Sequence, residues 1–260
     1  MAKMIALAGK GGVGKTTICS AFVRILGERF PTARILAIDA DPAVGLSTAL
    51  GVEVRETLDD IRREVIEKAA SGAGREALEM LGEVRYRIFD ALVETEHFAF
   101  LAIGRPEGAG CYCAVNAYLK EVIDMVSKDF DYVVIDGEAG IEQINRRVME
   151  KVTHLFLVTD ASKKGFQVAR TIKSVADDLV MYEKCGMIVN RVEDPELVRE
   201  VMRQKDVCPV DREDLTIIPM DPLHARNDVL GETIFELPAR AAVCEGAKEA
   251  LQRLGLIEER

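Results

Sequence analysis

Short apolar runs punctuate the chain at Met4–Ala8, Ile35–Asp39, Phe98–Ile103, Tyr132–Asp136, His154–Thr159, Cys185–Asn190 and Leu215–Ile218. They are nearly continuous rather than alternating, which is the pattern of strands covered on both faces by helices. Between them, apolar positions recur at helical spacing. Ile18, Ala21, Phe22, Ile25 and Leu26 make one stripe, and Val115, Tyr118, Leu119, Val122 and Val126 make another. A third comprises Val168, Ile172, Val175, Ala176 and Leu179; each marks one face of a helix. Asp194-Pro195 reads as an N-cap with proline at the first helical position. This alternation predicts an α/β fold with one doubly wound, mostly parallel sheet. The stretch Val52–His97 is charged and helical in pattern, so residues 1–260 are expected to form a single domain carrying a helical insertion at about 52–97.

Charge narrows the partners. Forty-four acidic residues against 34 basic give a net charge of −10, which repels a nucleic-acid backbone unless cations cluster. Arg146-Arg147 and Lys163-Lys164 are pairs, not stripes, so nucleic acid is not an expected partner. No apolar run approaches the roughly 20 residues of a membrane span, and the first strand leads straight into a glycine loop in place of a signal peptide. The expected location is cytoplasmic, without membrane insertion. Near the C-terminus, the stripe Val243, Ala247, Leu251 and Leu254 is accompanied by Glu245, Glu249, Glu258 and Glu259, so it is expected to dock on the protein's own core. Cys19, Cys185, Cys208 and Cys244 stand alone and read as small buried hydrophobes.

The chemistry begins at Gly9-Lys10-Gly11-Gly12-Val13-Gly14-Lys15-Thr16-Thr17, a Walker A pattern placed after a strand and before a helix. Its glycines let backbone N–H groups converge on phosphate oxygens, and the helix adds its positive N-terminal end. Lys15 is expected to reach the β- and γ-phosphates of ATP, and the Thr16 hydroxyl to ligate Mg²⁺. Asp131–Gly137 reads as a Walker B strand: four apolar residues end in Asp136, which can hold a magnesium-bound water. Gly137 and Gly140 allow the following loop to move. Asp39 and Asp41, at the end of the second strand, face the ligand crevice of an open α/β sheet.

Lys10 makes the loop more specific. With it, the segment resembles the deviant Walker A of the MinD, ParA, nitrogenase iron protein and arsenical pump class. The resemblance implies an ATP-hydrolysing homodimer in which Lys10 acts on the partner's nucleotide. Asp41 would polarise the attacking water and Asp39 would help order Mg²⁺. The segments containing Asn190, Arg191, Pro219 and Asp221 resemble that class's adenine contacts.

A second feature is Gly108-Ala109-Gly110-Cys111-Tyr112-Cys113, a glycine-rich turn presenting two thiols. Two thiolates leave a four-coordinate soft metal half-satisfied, and a second copy across a two-fold axis would complete the set. Gly110–Asn116 and Asp136–Arg147, taken with the deviant loop, resemble CooC-type ATPases, the nickel-insertion factors of carbon monoxide dehydrogenase, and the related acetyl-CoA synthase factor. This implies that Cys111 and Cys113 of two subunits share Ni²⁺ or Zn²⁺, with the apo-enzyme as client. The alternatives are a MinD- or ParA-like spatial-organising ATPase and a dimeric iron–sulfur reductase ATPase. The chain's histidines, His97, His154 and His224, are far apart and read as ordinary packed or surface residues, so a polyhistidine nickel store is not expected.

Overall fold

The structure, a computed structural model, describes residues 2–41, 45–70, 86–104, 124–137, 151–203 and 207–258. Its strands are β1 (Lys3–Gly9), β2 (Ile35–Asp39), β3 (Val93–Glu94), β4 (Ala99–Ala102), β5 (Tyr132–Asp136), β6 (His154–Thr159), β7 (Lys184–Val192) and β8 (Leu215–Pro219). They form one sheet in the order β3-β4-β2-β5-β1-β6-β7-β8. Every pairing is parallel except that of the two-residue β3 with β4. The expected strands are all present; β3 is too short to carry a sequence signal. The helices are α1 (Lys15–Arg29), α2 (Gly45–Leu50), α3 (Leu58–Ala70), α4 (Lys163–Leu179), α5 (Pro195–Met202), α6 (Pro222–Leu230) and α7 (Ala242–Arg253).

The apolar runs are continuous because the sheet is buried on both sides. Ala6, Leu36, Ile38, Leu101, Val133, Ile135, Leu155 and Leu157 point into one core, which α3, α4 and α5 cover. Their alternating neighbours Ile5, Leu7, Ala37, Phe100, Val134, Phe156 and Ile188 point into the other, beneath α1, α2 and α7. Phe22 of α1 meets Phe156 edge-on at 4.9 Å, fixing that helix over the seam between β1 and β6. The α7 stripe Val243, Ala247, Leu251 and Leu254 is buried, as its acidic surroundings suggest. Within the described part of the charged insertion, Leu58 and Ile61 of α3 join the first core. Asp194 accepts a hydrogen bond from the Leu197 amide and caps α5, with Pro195 in the first turn.

The α4 stripe lies differently from expectation. Phe166, Ala169, Ile172 and Ala176 are buried, whereas Leu179 is 50% exposed. The helix lies across β1 and β6, and its last turn ends the contact, with Val180 after it taking the buried position. Cys19 and Cys244 are buried as expected, but Cys185 and Cys208 are only half-buried. The helix expected around Val115–Val122 lies outside the described residues; Val126 is buried in the first core. Among the described residues no helix is long and apolar enough to cross a membrane.

Candidate nucleotide site

β1 is central, with β5 and β6 as its neighbours, so the chain winds outward in both directions from it. Ligands of open α/β sheets bind at such a switch point, beyond the carboxyl ends of the strands. The Gly9–Thr17 loop occupies this place. Gly9 admits no side chain, because a Cβ there would lie 2.1 Å from the Val158 carbonyl oxygen of β6. Gly14 precedes α1 in a left-handed conformation (φ 93°), and no side chain caps the helix and no acidic residue stands in its first turn. The helix N-terminus therefore keeps its positive end for an anion. Lys15 is almost entirely buried, and its ammonium approaches the Lys10 carbonyl at 3.4 Å, curled over the loop.

On the β2–β5 side stand the carboxylates. Asp39 is fully buried; its oxygens accept from the Asp41 amide at 3.1 Å and the Leu46 amide at 2.8 Å. Burial pushes its carboxyl up to about 6, against the pull of these amides. Asp136 is 1% exposed, and neither of its oxygens has a hydrogen-bond partner of ordinary geometry. Burial raises it to about 7; the Thr16 hydroxyl and Lys15 pull it down, while Asp39 and Asp41 push it up. Cys19, wholly buried in α1, feels both charges, and its thiol is held far above its usual value, first by burial. Asp41 is half-buried beside this pair. Pro42 lies outside the described residues, as do Gly140 and the rest of the segment 138–147.

On the β6–β7 side the loop is held by hydrogen bonds. Lys10 pairs with Asp160 at 3.3 Å. Asp160 also accepts from the Ser162 amide at 3.0 Å and from the Ser162 hydroxyl. Burial raises the Asp160 carboxyl, but these Ser162 and Lys10 bonds outweigh it and leave it below its usual value. Asn190 donates to the Val13 carbonyl at 2.9 Å, and Arg191 to the Gly12 carbonyl at 3.3 Å. Asp221, grouped with these by its segment, is engaged elsewhere: its carboxylate accepts from the Leu223 and Ala242 amides at 2.8 and 2.6 Å, capping α6 and steadying the start of α7. Pro219 ends β8 at the same edge of the sheet.

Geometry thus brings together the loop residues Lys10–Thr17 with Asp39, Asp41, Asp136, Asn190 and Arg191. Cys111 and Cys113 lie outside the described residues. Asp160 escaped the sequence reading because an aspartate after a strand and before a serine-capped helix is ordinary turn chemistry. Its only signal was its position after the strand adjoining β1.

The CobQ/CobB/MinD/ParA nucleotide-binding domain matches residues 4–234. An uncharacterized ATP-binding protein of Methanocaldococcus jannaschii is 37% identical over 257 residues, spanning 96% of this chain and 98% of its own length. The carbon monoxide dehydrogenase accessory protein CooC of Rhodospirillum rubrum is 31% identical, over 90% of this chain and 89% of its own. In fold, the septum site-determining protein MinD of Pyrococcus horikoshii, solved with Mg-ADP, superimposes with a TM-score of 0.70 at 21% identity, covering 98% of this chain and 96% of that one. The loop geometry and these matches agree: the chain belongs to the CobQ/CobB/MinD/ParA nucleotide-binding family and is a P-loop ATPase.

Proposed function

We propose that this ATPase is a metallochaperone, in which two subunits close over ATP and carry Ni²⁺ or Zn²⁺ between their Cys111 and Cys113 thiolates to an apo-enzyme of the carbon monoxide dehydrogenase or acetyl-CoA synthase kind. The observation that carries the metal reading is the Cys-Tyr-Cys turn in a chain 31% identical to CooC across nearly its whole length. A spatial-organising role is the second reading, favoured by the MinD-like fold. The burial of the α7 apolar stripe on the core weighs against a lipid-binding use of that helix.

Within the nucleotide site each residue has a distinct task. Lys15 and the amides of Gly11, Gly12, Val13, Gly14, Thr16 and Thr17 hold the phosphates. Asp41 accepts a hydrogen bond from the attacking water and orients it toward the γ-phosphorus. Lys10 leaves Asp160 and reaches the partner's nucleotide. Mg²⁺ fits this pocket: Asp136 presents two buried oxygens without partners beside the Thr16 hydroxyl, with Asp39 next to them. When bound, Mg²⁺ neutralises charge on the phosphate oxygens. Thr16 would hold it directly, and Asp136 and Asp39 through its waters.

Metal content and molar mass, measured anaerobically with and without ATP, test the proposal. The expected result is one divalent metal per two chains, lost in Cys111→Ala/Cys113→Ala. An unchanged stoichiometry in that variant, or no metal at all, sinks the metallochaperone reading. Co-sedimentation with lipid vesicles or DNA in the presence of ATP would support the second.

A further inference from the structure

We infer that the turn at residues 233–236 is a positioning element for hydrolysis, holding helix α2 and through it the backbone of Asp41. The inference rests on the ATPase assignment and on the task proposed for Asp41, and is independent of the metal.

α2 is only six residues long, and both of its ends are engaged. At its start Gly45 faces Thr16: a Cβ on Gly45 would lie 3.6 Å from the Thr16 methyl. The next amide, of Leu46, donates to one oxygen of Asp39 at 2.8 Å, and the Asp41 amide donates to the other at 3.1 Å. The Asp39 carboxylate therefore ties the backbone of Asp41 to the start of α2. At the far end, the Ile234 amide donates to the Ala49 carbonyl at 2.9 Å. Gly51, in a left-handed conformation (φ 68°), leaves room for the turn; a Cβ there would lie 2.8 Å from the Thr233 methyl.

The turn is braced from within and from outside. The Thr233 amide donates to the Glu236 carboxylate at 2.7 Å, and the Glu236 amide to the Thr233 carbonyl at 3.2 Å. Arg24 of α1 donates to the Ile234 and Leu237 carbonyls at 2.7 and 2.6 Å, and Phe235 stacks on Phe98 at 6.0 Å. The turn is thus fixed to α1, the helix that begins with Lys15 and Thr16. Leu46 and Leu50 bury α2 in the second core, but apolar packing is non-directional and does not set where a short helix sits along its axis. The hydrogen bond at Ala49 does. Phosphoryl transfer depends on positioning, so a shift of about 1 Å in α2 would carry Asp41 away from the water it orients.

Single-turnover hydrolysis and the dissociation constant of ATP, measured side by side, test this. Gly51→Ala drives a new methyl against Thr233. The expected result is a rate per bound ATP lowered about ten- to hundredfold, with affinity within about twofold of wild type. Thr233→Ser, added to Gly51→Ala, removes the struck methyl and should restore part of the rate. No restoration would trace the loss to the backbone of residue 51 alone and overturn the inference, as would a wild-type rate in Gly51→Ala. Glu236 is exposed, so Glu236→Ala supplies a variant whose folding is not in question. It should slow hydrolysis about threefold, with Glu236→Gln restoring the rate; an unchanged rate in Glu236→Ala would count against the inference. In an Asp41→Ala background, Gly51→Ala should cost nothing further, because both act on one step. An undiminished additional loss there would overturn the inference and leave Asp41 its task. Wild-type turnover in Asp41→Ala alone would overturn both.

Discussion

The two flanks of the phosphate loop are built on opposite principles. Toward β2 and β5, Asp39 and Asp136 are buried side by side, both pushed toward neutrality, and beyond the pull of the nearby Thr16 hydroxyl Asp136 has no hydrogen-bond partner of ordinary geometry for either oxygen. Toward β6 and β7, Asp160, Asn190 and Arg191 are each engaged, with Lys10, Val13 and Gly12 respectively. The first flank stores unmet electrostatic demand; the second is satisfied and holds shape. A site that must take up a cation with its phosphates benefits from both: a hard charge to be neutralised on one side, and a loop that does not have to reorganise on the other.

The largest effect should come from the group between the flanks. Lys15→Ala is expected to lower ATP turnover by about 10²- to 10³-fold, read as phosphate release, because the phosphates lose their buried cation.

A second experiment asks whether the strain lies only on the carboxylate flank. With their native values raised toward 6 and 7, Asp39 and Asp136 bind more protons folded than unfolded across pH 4 to 7, so they lower stability as pH rises through that window. Asp136→Asn should therefore stabilise the nucleotide-free protein by about 1–2 kcal/mol at pH 8, in urea melts, while weakening Mg-ATP.

At the amino end of β6, His154 has the reverse sign. Burial, with help from Lys184 and Lys3, depresses its imidazole to about 4, although the Leu254 backbone and Glu183 pull the other way. Its contribution is complete above pH 6.5 and lost as pH falls toward 4. His154→Gln should flatten that acid limb by about 1 kcal/mol and leave the Asp136 slope untouched, as two pH series of urea midpoints would show.

The smallest stability effect belongs to Lys10→Ala. The ion pair with Asp160 is more than a third exposed on both sides, so its loss should change stability by less than about 0.5 kcal/mol. Turnover should nevertheless fall if Lys10 works across a dimer; equal turnover in the variant would remove that role.

The strands were legible because burial on both faces leaves no polar alternation to confuse the pattern, as at Val133–Ile135 and Leu155–Val158. The phosphate loop was legible because its chemistry is confined to consecutive residues. What the chain did not disclose depends on distant pairing. The exposure of Leu179 follows from where α4 runs off the sheet, and helical spacing alone does not encode the end of a neighbouring strand. Asp160 becomes meaningful only once β6 lies beside β1 and brings it to Lys10. Asp221 was singled out by its segment alone; that its oxygens accept amides at the starts of two helices shows only in the fold. The hydrogen bonds of Asn190 and Arg191 to the loop depend on a bulge between β7 and β8, which neither strand announces by itself.

The loop after β1 leans on one half of the sheet through Thr16 and Asp136, and on the other through Lys10, Gly12 and Val13. A triphosphate gripped by that loop consequently acts as a rivet through the seam between the half-sheets. Pulling β6–β8 away from β5 and β2 would require letting go of the nucleotide, so the energy of holding ATP is also resistance to splitting the molecule down its middle.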